Sequence, residues 1–381
     1  NVTDPNFKFP QVWRTNLALD RRLPGGITST TEFLYNRDLN GIYYINANLP
    51  AAQTAFAGVD NRPRWTANRI NNGVPAITAA YVMKNQNIGR SWNISEMLSK
   101  NLYHGLTVKG AYSYGISRNT IDPGSNASGT WLGNEISKDP NNPGLGIINA
   151  AQGHRVFMQA SYTKQYFGFG ATTISSFFEA KPSYPNFSTT ASYVFSGDMN
   201  GDGAAGNDLI YIPKNTSEMN FSAFTAGTRT FTADEQAAAF EAYITQDKYL
   251  SKHRGEYATR GGVFYPMMRR MDLSIVQDVF GTAAGRKHAG QFRLDITNFG
   301  NLLNHNWGVS QRLVVPVTAA NGAQILTNPA VDAQGRATYR MAVANGQLVT
   351  KSFQSNTLLN SNQTSGSDVY LLMLSFRYSF N

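Results

Sequence analysis

The sequence predicts an all-β chain that builds part of a transmembrane antiparallel β-barrel, with about nine strands joined by long loops. The last segment, Asp368 to Asn381 (DVYLLMLSFRYSFN), is one reason. In an extended chain Tyr370, Leu372, Leu374, Phe376, Tyr378 and Phe380 share one face, and Val369, Leu371, Met373, Ser375, Arg377 and Ser379 the other. The first face is wholly apolar with aromatics flanking an aliphatic middle, as in a lipid-facing strand with an aromatic girdle. Composition is a second reason: of 381 residues only 15% are charged while 12% are aromatic, and 34 are glycine. Few charges and many aromatics suit a barrel better than a cytosolic enzyme, and no run of 18 apolar residues offers a transmembrane helix. The third is the spacing of connections. Short links at 24–26, 101–105, 166–168 and 282–287 alternate with long ones near 46–87, 118–152, 180–262 and 304–367. Short turns at one end and long loops at the other mark an outer-membrane barrel. A soluble sandwich could also bury one apolar face per strand, but it rarely tolerates loops of that length.

Strands are expected near 11–23, 27–45, 88–100, 105–117, 153–165, 168–181, 266–280, 288–300 and 369–380. The first alternates Trp13, Thr15, Leu17 and Leu19 against Arg14, Asn16, Ala18 and Asp20, then turns tightly at Leu23 to Gly26. The second sets Ile27, Ser29, Thr31, Phe33 and Tyr35 against Thr28, Thr30, Glu32 and Asn36, and its Thr, Phe and Tyr content favours a strand. The third is placed by the rhythm of the connections. The fourth sets Leu106, Val108, Gly110, Tyr112, Tyr114 and Ile116 against Thr107, Lys109, Ala111, Ser113 and Ser117. The fifth sets Val156, Met158, Ala160 and Tyr162 against Arg155, Gln159, Ser161 and Thr163, and the sixth returns after the turn at 166–168. In the seventh and eighth, Leu273, Ile275 and Val279 oppose Asp272, Ser274 and Asp278, and Phe292, Leu294 and Ile296 oppose Arg293, Asp295 and Thr297. Charges fall repeatedly on one face, the face expected to line a wet lumen. Nine is odd, whereas a bacterial single-chain barrel closes with an even number, so further strands are expected upstream. Asn1 follows no initiator Met or signal segment, and the start reads as a cut.

The absence of cysteine excludes disulfides, thiolate nucleophiles and Cys-based metal sites, and is compatible with an oxidising envelope. The net charge of +9 is dispersed, which argues against nucleic acid and for anionic lipid head groups or an anionic solute. The adjacent pairs Arg21–Arg22 and Arg269–Arg270 point to opposite strand faces, and arginines at a membrane rim meet lipid phosphates. His104, His154, His253, His288 and His305 show no metal or triad spacing, and no enzymatic chemistry is expected. Thr232 to Glu235 is a capping box opening a helix from Ala233 to about Leu250, whose Phe240, Tyr243, Ile244 and Tyr249 line one side and are expected to pack on their own loop. Trp131, Phe221, Phe224 and Trp307 in the long loops are candidates for contact with an external ligand.

A structural calcium site is expected in the loop Gly197 to Pro213. Asp198, Asn200 and Asp202 occupy alternate positions, Gly203 follows where a calcium loop turns sharply, and Asn207 and Asp208 arrive soon after. These five side chains with local carbonyls could surround one hard cation at about 2.3–2.6 Å. It is not an EF-hand, because position twelve is Leu209 instead of a bidentate Glu. The bland alternative is a turn with solvated carboxylates.

Six segments in order carry a family resemblance: PNFKFPQVWRTNLALDRRLPGG (Pro5 to Gly26), NRDLNGIYYINANL (Asn36 to Leu49), DNRPRW (Asp60 to Trp65), GDMNGDGAAGNDLIYIP (Gly197 to Pro213), MMRRMDLSIVQDV (Met267 to Val279) and DITNFGNLLNHNWG (Asp295 to Gly308). Together they resemble the carboxyl-terminal barrel half of Oar-like TonB-dependent receptors of Bacteroidetes-type bacteria. DITNFGNLLN looks like the penultimate strand of TonB-dependent receptors generally, and the Gly197 to Pro213 segment points to the Oar-like branch. The usual terminal aromatic corresponds to Phe380, here followed by Asn381. The resemblance implies a barrel of about 22 strands in the outer membrane of a Gram-negative bacterium, filled by an amino-terminal plug with a TonB box, neither of which lies in this chain. It implies uptake of a peptide, glycan or metal chelate driven from the inner membrane through TonB. The partners are then outer-membrane lipid and lipopolysaccharide, the plug, TonB and an extracellular ligand. The alternative is a barrel that binds, adheres or anchors a complex without transport.

Overall fold

The computed structural model describes residues 2–182, 188–283, 285–318, 322–356 and 368–380. Nine long strands form one antiparallel sheet in strict chain order: β1 (Val12–Leu23), β2 (Ile27–Asp38), β3 (Arg90–Asn101), β4 (Leu106–Asn119), β5 (Gly153–Tyr166), β6 (Gly170–Pro182), β7 (Met267–Ala283), β8 (Arg286–Thr297) and β9 (Leu371–Phe380). All nine overlap the expected strand positions, the second ending early. The tight turns all fall at one end of the sheet and the long connections at the other.

Register makes the two faces continuous. Directly opposed residues point to the same side, and Tyr162, Ile174, Ile275, Leu294 and Leu374 form one row across five strands. Leu17, Phe33, Ile94 and Tyr114 form another across β1 to β4. These rows are uncovered: Leu17 is 66% exposed and Leu374 83%. A water-soluble sheet would pay heavily for so large a bare apolar face. The opposite face is polar and internally paired. Arg155 meets Glu179 at 2.7 Å and Lys181 meets Glu179 at 2.9 Å, Arg270 meets Asp272 at 3.1 Å and Arg293 meets Asp295 at 2.7 Å. Hydroxyl pairs Ser161–Ser175 and Thr163–Thr173 continue the pattern.

Two expectations need correcting in extent. The strand expected over 27–45 is two: β2 ends at Asp38, and Gly41–Asn46 leaves to pair with Tyr81–Gln86 in a separate small sheet. The break is held by the Asp38 side chain, which lies against Gly41 and Gly89 so closely that a Cβ at Gly89 would sit 2.0 Å from its carboxylate. The helix opening at Ala233, here α1 (Ala233–Gln246), stops short of Leu250 because Asp247 turns extended and its carboxylate accepts from the amides of Tyr249 and Leu250. Its capping box is formed as expected, with Thr232 and Glu235 each bonded to the other's backbone amide.

The long connections fold into a cap with its own core. Val263–Phe264, Thr190–Ser196, Gly322–Val331 and Ala337–Met341 make a four-stranded sheet, with Thr190–Ser196 and Gly322–Val331 running parallel. Phe240, Tyr243 and Ile244 of α1 are fully buried beside Tyr193, Phe195, Ile325 and Leu326. The burial that normally sits behind a sheet is here inside its loops.

Candidate functional site

The Gly197 to Pro213 loop sits against the chain at 60–68. Gly201 is forced: its φ is +81°, and a Cβ there would lie 2.2 Å from the Trp65 carbonyl oxygen. The loop is wound by its own polar side chains. Asp198 accepts from the amides of Gly201 at 2.7 Å and Gly203 at 2.9 Å. The Asn200 oxygen accepts from the Asp202 amide at 2.9 Å, and its amide group donates to the Asp202 carboxylate at 3.1 Å. Asp202 accepts from Ala204 at 2.7 Å, and Asp208 reaches back to the amide of Met199 at 2.7 Å. Asp198, Asn200, Asp202 and Asp208 are thereby tied into one loop. Asn207 joins through its backbone only, its carbonyl accepting from Ile136, and its buried amide side chain makes no hydrogen bond. Among the described residues no three acidic or imidazole side chains already converge as a ready-made metal group.

Electrostatics at this loop turn on a residue that sequence reasoning passed over. Arg62 is fully buried. It donates to both oxygens of Asp60 at 2.9 and 3.0 Å and to the Leu209 carbonyl at 2.7 Å, and its Nη1 lies 3.5 Å from the Asp208 carboxylate. Its guanidinium carbon is 5.3 Å from the centre of the Phe195 ring and 5.1 Å from that of Tyr257, whose hydroxyl donates to Asp60 at 2.9 Å. One guanidinium therefore faces the carboxylates of Asp60 and Asp208, with Asp198 and Asp202 close behind. Burial, with the charges of Asp208 and Asp198 adding, pushes the Asp202 carboxyl up to about 7. Burial pushes Asp208 up to about 6 against the pull of Arg62, and raises Asp198 against the amides that bind it. The only advance signal of Arg62 was its place two residues after Asp60 in DNRPRW.

A second buried ionic cluster adjoins the first through Leu209 and Tyr257. Both residues line a cavity of about 340 Å³ that Glu135, Lys138 and Arg260 also line. Burial drives the Glu135 carboxyl up to about 8 although Arg260 opposes the shift. Arg260 itself lies 3.3 Å from Asp122 and bonds the Asn119 side chain at 2.6 Å.

The aromatic candidates separate. Trp131 is 3% exposed, packed at a tilt against Tyr81 at 5.6 Å and bonded to Asn141. Phe221 is buried between Phe240 and Tyr339, and Phe224 packs on Phe231 under the guanidinium of Arg340. Packing accounts for these three rings, whereas Trp307 keeps 55% of its surface. Among the described residues no helix is long and apolar enough to cross a membrane, which says nothing about strands. No protein-family model, curated protein or solved structure matches the chain.

Proposed function

We propose that the chain is part of the wall and the loop cap of an outer-membrane barrel, a TonB-dependent receptor that takes up a solute bound on the outside. The observation that carries this is the set of apolar rows that register aligns on one face of the antiparallel sheet, largely bare where a soluble protein would cover them and backed by a paired polar face. The alternation of tight turns with folded loops at opposite ends supports the same orientation, turns toward the periplasm and cap toward the outside. In this arrangement the polar face solvates the lumen and meets a plug, and the cap presents the ligand surface. The loop Gly197 to Pro213 takes calcium, because one guanidinium does not balance the buried carboxylates of Asp60, Asp202 and Asp208 and the half-buried one of Asp198, and each carboxylate has four lone-pair sites, more than its bonds here use.

The test is made on the full-length protein. It is expected to fractionate with outer membranes, to bind the periplasmic domain of TonB, and to accumulate an external solute only while the proton-motive force is maintained. Membrane insertion without TonB binding would leave an anchoring or adhesion barrel in its place; failure to insert would remove the barrel altogether.

A further inference from the structure

We infer that Arg37, Arg90 and Arg118 form a binding site for the phosphate groups of outer-leaflet glycolipid, an assignment that rests on the membrane reading above. Register places the three side by side. Arg37 of β2 is directly opposite Arg90 of β3, and Arg90 is directly opposite Arg118 of β4. They share a face with Phe33, Ile94 and Tyr114, since each lies an even number of residues from that member of its own strand.

Their height on that face is equally defined. The next row toward the middle of the sheet is Tyr35 and Trp92, directly opposed, with Trp13 paired to Arg37 at the edge. Trp13 and Tyr35 meet edge to face at 6.4 Å. Below them comes the aliphatic and aromatic row of Leu17, Phe33 and Ile94. From the loop end inward the face thus reads cationic, aromatic, apolar, the sequence of environments met on passing from head groups into acyl chains. All three arginines are exposed, and no described residue forms a hydrogen bond or ion pair with their guanidinium groups. Like charges directly opposed across neighbouring strands repel. The one carboxylate on this face of the four strands, Glu96, lies six residues along β3 from Arg90 and is held by Ser29 and Thr31. Asp38 is turned to the other face, against Gly41 and Gly89. Three guanidinium groups on strands about 4.8 Å apart match closely spaced phosphate oxygens on one lipid head group, and arginine offers the bidentate geometry phosphates favour.

The test measures binding of purified lipopolysaccharide, and of the same glycolipid enzymatically dephosphorylated, to the full-length protein in detergent micelles. The wild type is expected to prefer the phosphorylated form. R37Q/R90Q/R118Q is expected to bind it on the order of a hundredfold more weakly, from about a fivefold factor per arginine. R37K/R90K/R118K, which keeps the charge but loses the bidentate geometry, is expected to bind more tightly than the glutamine variant and more weakly than the wild type, which separates loss of the site from loss of the fold. Equal binding of the two glycolipids, or full competition by inorganic phosphate, overturns the inference. Flotation of the full-length wild type with vesicles separates the two readings: a protein that fails to float overturns both, and one that floats without preferring phosphate overturns only this one.

Discussion

Arg62 decides how the cap holds charge. Replacing it by leucine leaves Asp60 and Asp208 buried without their counter-ion, and breaking such a pair costs about 3–5 kcal/mol. The expected outcome for Arg62→Leu is a matching drop in cap stability by denaturant unfolding, and a loss below about 1 kcal/mol would mean the carboxylates are neutral in the fold. The neighbouring loop has a pH dependence with a definite sign. Asp202 and Asp208 titrate near 7 and 6 in the fold against an ordinary 3.8, so without a cation the folded loop is favoured when they are protonated. That contribution falls away as pH rises from about 4 through about 7. Calcium binding would need the ionised carboxylates and is expected to reverse the trend. In chelator, cleavage of Gly197 to Pro213 by a nonspecific protease is expected to increase from pH about 5 to about 8. Added calcium is expected to abolish the increase and to appear in elemental analysis. Cleavage that ignores both pH and chelator would leave only a turn.

The strands and α1 were legible because each is specified by a local pattern. Period-two alternation marks a strand wherever one face meets an apolar phase and the other water. The α1 start was equally plain, since Thr232 and Glu235 satisfy each other's amides. Thr232→Ala should cost about 1 kcal/mol, while Phe240→Ala, at full burial, should cost about 3–5 kcal/mol; thermal unfolding of the cap would rank them, and the reverse order would contradict the packing. Leu374 and Ser375 are adjacent in β9 but face opposite ways, Leu374 opposite Leu294 and Ser375 opposite Arg293. Leu374→Arg is expected to cost about 2–4 kcal/mol at mid-membrane while Ser375→Arg is tolerated, measured by insertion of the full-length protein into vesicles. Equal damage would reverse or erase the face assignment.

At the scale of the whole molecule, the cap was hidden because its core is assembled from segments far apart in the chain. Val194, Ile244 and Leu326 meet there, and Arg62 bonds a carbonyl 147 residues away. No periodicity records such meetings, so the same loops read only as long. The sheet, by contrast, follows chain order from β1 to β9, and among the described residues those two strands end the order without pairing to each other. In a bilayer an unpaired strand edge leaves backbone amides and carbonyls without partners, at several kcal/mol per group. The nine strands are therefore expected to depend on further strands along both edges. Engineered cysteines test this without background, since the chain has none of its own. Leu294→Cys with Leu374→Cys joins directly opposed positions of β8 and β9 and is expected to cross-link in good yield on oxidation. Leu17→Cys with Leu374→Cys joins β1 to β9 and is expected to give no cross-link within one chain. An intramolecular β1–β9 disulfide forming as readily as the first would mean that the nine strands close on themselves, and a barrel so small would have no room for a plug.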